Sequence, residues 1–104
     1  MKVDITAEAQ RDLEAIGEYI ARDDPGRAVI FLRELRAKCL DLATHPRRFP
    51  LVRRYEAWGV RHRVHRSHLI FYRIEPERVL ILHILHGAMD YASILAGPAD
   101  QPPA

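Results

Sequence analysis

The stretch HLIFYRIEPERVLILHILHG, residues 68–87, contains two apolar runs that decide the fold. LIFYRI and VLILHILH are both apolar at odd and at even positions, which is typical of central strands covered on both faces. The EPER between them predicts a tight hairpin turn. We therefore expect strands at residues 68–75 and 78–86, preceded by a third strand at residues 60–66.

The N-terminal half predicts a short strand and two helices. Val3 and Ile5 alternate as in a strand, and Thr6 suits the N-cap of an amphipathic helix over residues 7–23. Asp24 and Pro25 begin a second helix, which His45 and Pro46 end at about residue 44. Two helices joined by a short turn form an antiparallel hairpin with an apolar face to bury.

The order of elements indicates an α+β fold. It consists of an N-terminal strand, a two-helix antiparallel hairpin packed on a mainly antiparallel sheet, a three-stranded C-terminal meander and a short C-terminal helix over residues 88–95. We expect one domain over residues 1–95 and a disordered tail over residues 96–104, which is rich in Pro and Ala. The sequence does not say what covers the second face of the sheet, and such a face often awaits a partner.

Length and composition exclude several classes of protein. A chain of 104 residues suits one domain, and its 29% charged and 48% hydrophobic residues are ordinary for a globular protein. No window approaches the roughly 20 apolar residues that cross a bilayer, and the N-terminus lacks a secretory signal. We expect a cytoplasmic protein without a membrane segment. The single cysteine, Cys39, falls on the apolar spacing of the second helix and is predicted to be buried.

Positive charge is concentrated in one segment. Between His45 and Arg73 there are eight arginines and one acid, Glu56, whereas the rest of the chain has eight basic and thirteen acidic residues. Such segregation favours an anionic partner, either nucleic acid or an acidic protein surface, over a merely solvated loop and strand. The use of arginine throughout favours bidentate or stacking contacts.

Six histidines raise the question of a metal or catalytic site. His83 and His86 are three residues apart in one strand, so we expect them on opposite faces, where they cannot bind one metal ion. By the same alternation His62 and His68 face one side and His65 the other, without an acidic partner nearby. We predict no metal site, no cofactor, a hydrogen-bonded structural role for His83, and either a structural or a functional role for His86. Strand alternation also places His83 with Val79, Ile81 and Leu85, and His86 with Leu80, Leu82 and Ile84.

Five short sequence motifs occur along the chain in an order that is typical of one superfamily. They are A..DL..I..YI from Ala9, P..A..F...L from Pro25, G.R from Gly59, IFYR from Ile70 and ILHG..D from Ile84. Over about residues 1–95 the chain resembles the RelE/ParE toxins of bacterial toxin–antitoxin modules, and it is most similar to the ParE branch. The resemblance implies that the chain is a toxin with the RelE/ParE fold.

The two branches of the superfamily differ in activity. RelE-like toxins cut messenger RNA on the ribosome by general acid–base chemistry and need cations at the scissile phosphate. Their usual arginine positions correspond here to Leu69 and Met89. ParE-like toxins inhibit DNA gyrase by protein contact and serve in plasmid stabilisation, so the resemblance implies a gyrase inhibitor rather than an enzyme. The alternatives are a RelE-type ribonuclease, with His86 as the catalytic candidate, and an inactive homologue that only binds its antitoxin.

The resemblance also implies a partner. Antitoxins of this kind are ParD-like, with a DNA-binding domain and a tail that wraps the toxin, which gives a toxin–antitoxin hetero-oligomer. Candidate surfaces are the hairpin rim near Tyr19, Ile30 and Leu40 and the basic strand with Arg61 and Arg63. Many ParE-like chains have an arginine at the position of Met89, immediately before the aspartate that corresponds to Asp90. The methionine at this position weakens the implied contact with gyrase. Trp58 packs over the core edge or stacks on a base, and packing is favoured. The remaining candidates for contact with the target or the antitoxin are Arg53, Arg54, His86 and Asp90.

Overall fold

A computed structural model describes residues 1–96. The elements in chain order are β1 (Lys2–Ile5), α1 (Ala7–Ala21), α2 (Pro25–Asp41), a 3₁₀ turn (Glu56–Trp58), β2 (Val60–His65), β3 (His68–Ile74), β4 (Arg78–His86) and α3 (Tyr91–Ala96). This order confirms the predicted α+β fold. Ala96 ends α3, and the rest of the predicted disordered tail lies outside the described residues.

The predicted caps begin both long helices. The Thr6 hydroxyl accepts the Ala9 N–H at 3.1 Å, and the Asp24 carboxylate accepts the Arg27 N–H at 3.1 Å, with Pro25 at the first helical position. Each cap satisfies an amide that has no partner within its helix. The predicted ends were two to three residues too late, since α1 ends at Ala21 and α2 at Asp41. Tighter turns follow both helices.

The two long helices approach each other closely at one glycine. Gly17 of α1 faces Leu32 of α2, and a Cβ on Gly17 would lie 2.7 Å from a Leu32 methyl carbon. A larger residue at position 17 would therefore require the Leu32 side chain to move. Cys39 lies in the core beneath this hairpin, as predicted, and burial raises the pKa of its thiol to about 12.

The sheet has the strand order β1-β4-β3-β2. β1 runs parallel to β4, and the other two pairs are antiparallel. The register of β3 and β4 shifts between Phe71, opposite His83, and Tyr72, opposite Ile81, so that Leu82 is an additional residue. Such a bulge interrupts the alternation of side chains between the two faces.

Because of the bulge, the predicted assignment of the β4 side chains to the two faces of the sheet is wrong. Val79, Ile81 and Ile84 all pack on the side of the helices, whereas Leu82 and Leu85 pack on the other side. The extra residue moves the helix-facing positions from odd to even numbers along the strand.

Two core clusters cover the two faces. The first lies between the helical hairpin and the sheet and includes Leu13, Leu35 and Tyr72. The second contains Val52, Val60, Phe71 and Leu85, against which Tyr55, Trp58, Tyr91 and Ile94 pack. The segment that precedes β2 and the short helix α3 therefore cover the second face. α3 begins at Tyr91 rather than at the predicted Ala88, because residues 87–89 form turns. In residues 1–96 no helix combines the length and apolarity needed to span a bilayer.

Candidate target and partner surfaces

A groove of about 580 Å³ lies between α1 and the end of β4. Its floor and walls are mainly apolar, with Arg27, Arg66, His68 and His86 among the polar residues that line it. The apolar lining comes from Ala15, Ile16, Ile20, Phe31, Ile84, Leu85 and Met89. Clefts that combine an apolar lining with a few polar groups are typical binding sites.

The groove exists because β1 is shorter than β4. β1 pairs with β4 only as far as Ile81, so the remainder of β4 has no neighbouring strand on that edge. The Asp12 carboxylate of α1 covers the first part of this edge, accepting the Ile84 N–H at 2.9 Å and contacting His83 Nδ1 at 2.9 Å. The predicted hydrogen-bonded role of His83 is thereby confirmed. Beyond Ile84 the strand edge lines the groove.

Three histidines form a row at this end of the sheet. His65 of β2 is opposite His68 of β3, which is opposite His86 of β4. The His68 ring lies 5.2 Å from that of His86 and 5.2 Å from that of Phe31, and the His65 ring stacks on Phe31 at 5.8 Å. His68 and His86 thus line the groove on the side of the helices, and His65 lies next to them against Phe31, which also lines it.

This row corrects the predicted parity of the histidines. His65 and His68 share the helix-facing side, and His62 lies on the other side, 6.4 Å from the Phe71 ring. Alternation cannot be counted through a turn, because residues opposite each other in a hairpin face the same side. His83 and His86 line cavities on opposite faces, as predicted.

Burial affects the protonation of two histidines. It lowers the pKa of His68, and the neighbouring His86 and His65 lower that pKa further. It also lowers the pKa of His62. Hydrogen bonds from His65 and Arg66 lower the pKa of Glu34, which keeps this carboxylate charged beside the row. Among residues 1–96 no cluster of three His, Cys, Asp or Glu side chains could hold a metal ion.

Arg61 and Arg63 connect β2 to the segment around the end of α2. The Arg61 guanidinium donates to the Phe49 carbonyl at 2.7 Å. The Arg63 guanidinium donates to the Asp41 carboxylate at 2.9 Å and to the Lys38 carbonyl at 3.1 Å, and its side chain is only 11% exposed. Both side chains therefore stabilise the chain's own fold. Their role in binding a partner stays a prediction.

A second cleft, of about 470 Å³, brings three predicted residues together. Arg53, Arg54 and Asp90 line it, along with Met89. Arg54 has a φ of 76°, in the left-handed region. The Tyr55 hydroxyl donates to the Ala92 carbonyl at 2.9 Å and thereby fixes α3 to the segment that carries the arginines. The cleft is thus exposed and charged, and this hydrogen bond fixes the backbone segments on its two sides relative to each other.

The other sequence candidates lie in different places. Trp58 is partly buried on the second core cluster, 5.8 Å from the Tyr55 ring, which confirms the packing interpretation. Tyr19 is 71% exposed and lines the groove, whereas Ile30 and Leu40 are exposed but do not line it. Arg27 and Phe31 of α2 also line the groove, although the sequence pattern did not predict them there. Their position on α2, one turn apart, was the signal available.

Comparisons with known proteins point to one family. The sequence model described as "ParE toxin of type II toxin-antitoxin system, parDE" matches residues 3–91. The chain is similar to a structure of the chromosomal ParDE toxin–antitoxin system from P. aeruginosa, with a TM-score of 0.70 and 24% identity over 83% of this chain and 95% of that chain. It is also similar to a structure of the toxin–antitoxin complex RelBE2 from Mycobacterium tuberculosis, with a TM-score of 0.62 and 28% identity over 82% and 95% of the two chains. No curated protein sequence matches it.

Proposed function

Because the chain belongs to the ParE toxin family of type II toxin–antitoxin systems, we propose that it inhibits DNA gyrase by protein–protein contact and performs no covalent chemistry. One observation carries this proposal. The two positions where RelE-like ribonucleases have arginines are occupied here by Leu69 and Met89.

The surroundings of these two residues support the proposal. Leu69 packs against the second core cluster, and Met89 is 46% exposed beside the charged cleft. Neither side chain can neutralise the negative charge that develops on a phosphate during RNA cleavage. A single preorganised donor at such a site contributes about 3–4 kcal/mol to transition-state stabilisation. Contact with a target protein requires no charge at a scissile phosphate, so the absence of an arginine at Met89 weakens the ribonuclease function more than it weakens gyrase contact.

The charged cleft is the surface that we propose for gyrase. Arg53, Arg54 and Asp90 present both signs of charge, and all three side chains are exposed. The turn that leads to Asp90 is fixed by hydrogen bonds from Met89 N–H to the His86 carbonyl and from Tyr91 N–H to the Met89 carbonyl. Pre-positioned charges of both signs favour one orientation of a partner protein over others.

The groove is the surface that we propose for the antitoxin tail. An amphipathic segment would place apolar residues against Ile16 and Ile84 and acidic residues opposite Arg27 and Arg66. The similarity to solved toxin–antitoxin complexes supports an antitoxin partner and a hetero-oligomer. With gyrase as the target, the chain acts in the cytoplasm.

One observation favours a second function. The rings of His68 and His86 lie 5.2 Å apart, and Arg66 and Arg27 line the same groove. Two imidazoles beside cations are groups that a ribonuclease uses for general acid–base catalysis. A His86→Gln variant separates the two functions: it should abolish RNA cleavage and leave gyrase inhibition intact, because His86 does not line the cleft proposed for gyrase.

The experiment measures inhibition of gyrase supercoiling by the purified chain. The double variant Arg53→Glu/Asp90→Lys reverses the charges at two of the three charged positions of the cleft and keeps the net charge. We expect it to need at least about tenfold more protein for half-inhibition, a loss of about 1.4 kcal/mol. The control Arg11→Glu/Glu14→Lys makes the same exchange on the exposed face of α1 and should inhibit as the unmodified chain does.

Two results contradict the proposal. Messenger RNA cleaved on ribosomes while supercoiling continues would establish the ribonuclease instead. The absence of both activities would indicate a homologue that only binds its antitoxin.

A further inference from the structure

The segment between α2 and β2 carries an unusual density of unpaired positive charge. Residues 42–55 contain no acid and four arginines, Arg47, Arg48, Arg53 and Arg54, which we call the arginine ridge. We propose that the arginine ridge binds the phosphate backbone of duplex DNA. The ligand is neither gyrase nor the antitoxin, although Arg53 and Arg54 also line the cleft proposed for gyrase, so the ridge shares two residues with that surface.

The structure divides the eight arginines of the basic segment into two sets. The four outside the ridge are engaged within the chain: Arg61 with the Phe49 carbonyl, Arg63 with Asp41, Arg66 with Glu34 and Arg73 with Glu75. All four ridge arginines are exposed, and none forms an ion pair within 4.0 Å of another described side chain. The excess positive charge of the segment is therefore concentrated on the ridge.

The backbone beneath the ridge is fixed along the outer edge of the sheet. β2 is the edge strand, and the Val52 N–H donates to the Val60 carbonyl at 2.7 Å. The His62 N–H donates to the Pro50 carbonyl at 3.1 Å on the same edge. These bonds hold the segment between the two arginine pairs in place. The ridge therefore loses little backbone freedom when it binds a ligand.

The dimensions of the ridge suit a duplex. The chain from Arg47 to Arg54 can span at most about 25 Å, given a reach of about 3.6 Å per residue. One turn of B-DNA is about 34 Å long and carries one phosphate charge per about 1.7 Å of its axis. The two arginine pairs, which line separate clefts at the two ends of the segment, therefore lie within the length of one helical turn.

The aromatic residues beside the ridge disfavour single-stranded RNA. Tyr55 and Trp58 are partly buried on the second core cluster, and the Phe49 ring lies under the Arg63 guanidinium at 4.7 Å. Sequence-tolerant binding of single strands depends on bases stacking on exposed aromatic faces, and the packing of these rings covers part of each face. An acidic peptide would need apolar anchor positions as well; Leu51, between the arginine pairs, is 38% exposed, whereas the larger apolar lining is in the groove at α1 and β4. Backbone contact with a duplex needs the cations alone.

The experiment measures fluorescence anisotropy of a labelled 20-base-pair duplex of arbitrary sequence with the purified full chain at several salt concentrations. The variant Arg47→Gln/Arg48→Gln/Arg53→Gln should reduce the slope of log K against log salt by about 2.7, because each phosphate contact contributes about 0.9. Arg54 is retained because of its left-handed backbone. The control Arg11→Gln/Arg22→Gln/Arg33→Gln removes the same charge from exposed positions on the helices and should change the slope by less than about 1.

Three results would overturn the proposal. The control could reduce the slope as much as the ridge variant, which would indicate an effect of net charge. A single-stranded RNA of equal length could bind more tightly than the duplex. The ridge variant could keep full DNA affinity and lose binding to gyrase or antitoxin, which would make the ridge a protein-binding surface. DNA binding and gyrase inhibition are measured separately, so failure of one proposal is distinguishable from failure of the other.

Discussion

Tyr19 offers the sharpest test of the proposed antitoxin groove. Its side chain lines the groove from α1 and is 71% exposed in the described chain. An exposed ring contributes little to folding, but a segment docked in the groove would cover it. Tyr19→Ala should therefore weaken antitoxin binding and leave the free energy of unfolding nearly unchanged.

The expected loss of affinity follows from the area that the ring can bury. A tyrosine buries up to about 200 Å², and with 71% exposed roughly 140 Å² remains for a partner. At about 25 cal/mol per Å² the upper limit is about 3.5 kcal/mol. Alanine retains part of this area and the docked segment covers part of the ring, so we expect about 2 kcal/mol, or roughly a thirtyfold rise in Kd.

Isothermal titration calorimetry with the cognate antitoxin measures this change. Val29→Ala is the matched control, because Val29 is 50% exposed on α2 and does not line the groove. The control should bind within about twofold of the unmodified chain. A Kd for Tyr19→Ala within twofold of the unmodified value would refute the docking of the antitoxin at this end of the groove.

Three further predictions concern the fold that supports these surfaces. Asp12→Ala removes the acceptor of two hydrogen bonds and should lower the free energy of unfolding, measured in urea titrations, by about 2 kcal/mol. The exposed control Glu14→Ala should change it by less than about 0.5 kcal/mol. Equal effects of the two variants would contradict the role of Asp12. The pKa values of His62 and His68 are lowered from 6.5 in the folded chain, so the unfolded chain binds more protons below pH 6.5. The free energy of unfolding should therefore fall as the pH drops from 7 to 5. His68→Gln should make this decline shallower, which urea midpoints at each pH would test. The Cys39 thiol is buried with a pKa of about 12, so a thiol reagent at pH 8 should label it only as fast as the chain unfolds, and immediate stoichiometric labelling would contradict its burial.

The sequence predicted those features that depend on local chemistry. Thr6 and Asp24 cap the helices as expected, since an N-cap needs only one oxygen acceptor at the right position. The central hairpin was also predicted correctly, because two short runs that are apolar on both parities and are joined by a turn motif are typical of central strands.

The features that the sequence did not predict depend on contacts between distant segments. The bulge at Leu82 has no local signal, yet it moves Ile84 to the side of the helices and Leu82 to the other. The row of His65, His68 and His86 arises from strand register across two hairpins. Alternation within one segment cannot supply that information.

The fold groups the candidate residues in a way that their order in the sequence does not indicate. Arg53, Arg54 and Asp90 meet in one cleft, although 36 residues separate Arg54 from Asp90 in the sequence, because α3 folds back over the second face. Arg61 and Arg63 looked like equivalent members of the same basic segment, but their strand positions direct them to carbonyl and carboxylate acceptors within the chain. A charge count gives the net excess, and only the fold shows which arginines carry it.

The central claim is that the chain inhibits gyrase without cleaving RNA, and induction in cells that lack the antitoxin tests it most directly. Plasmid supercoiling and the integrity of messenger RNA would be measured in the same samples at the onset of growth arrest. We predict that the plasmid loses negative supercoils while messages remain intact, and that co-expressed antitoxin prevents both the loss and the arrest. Growth arrest with cleaved messages and normal supercoiling would contradict the account.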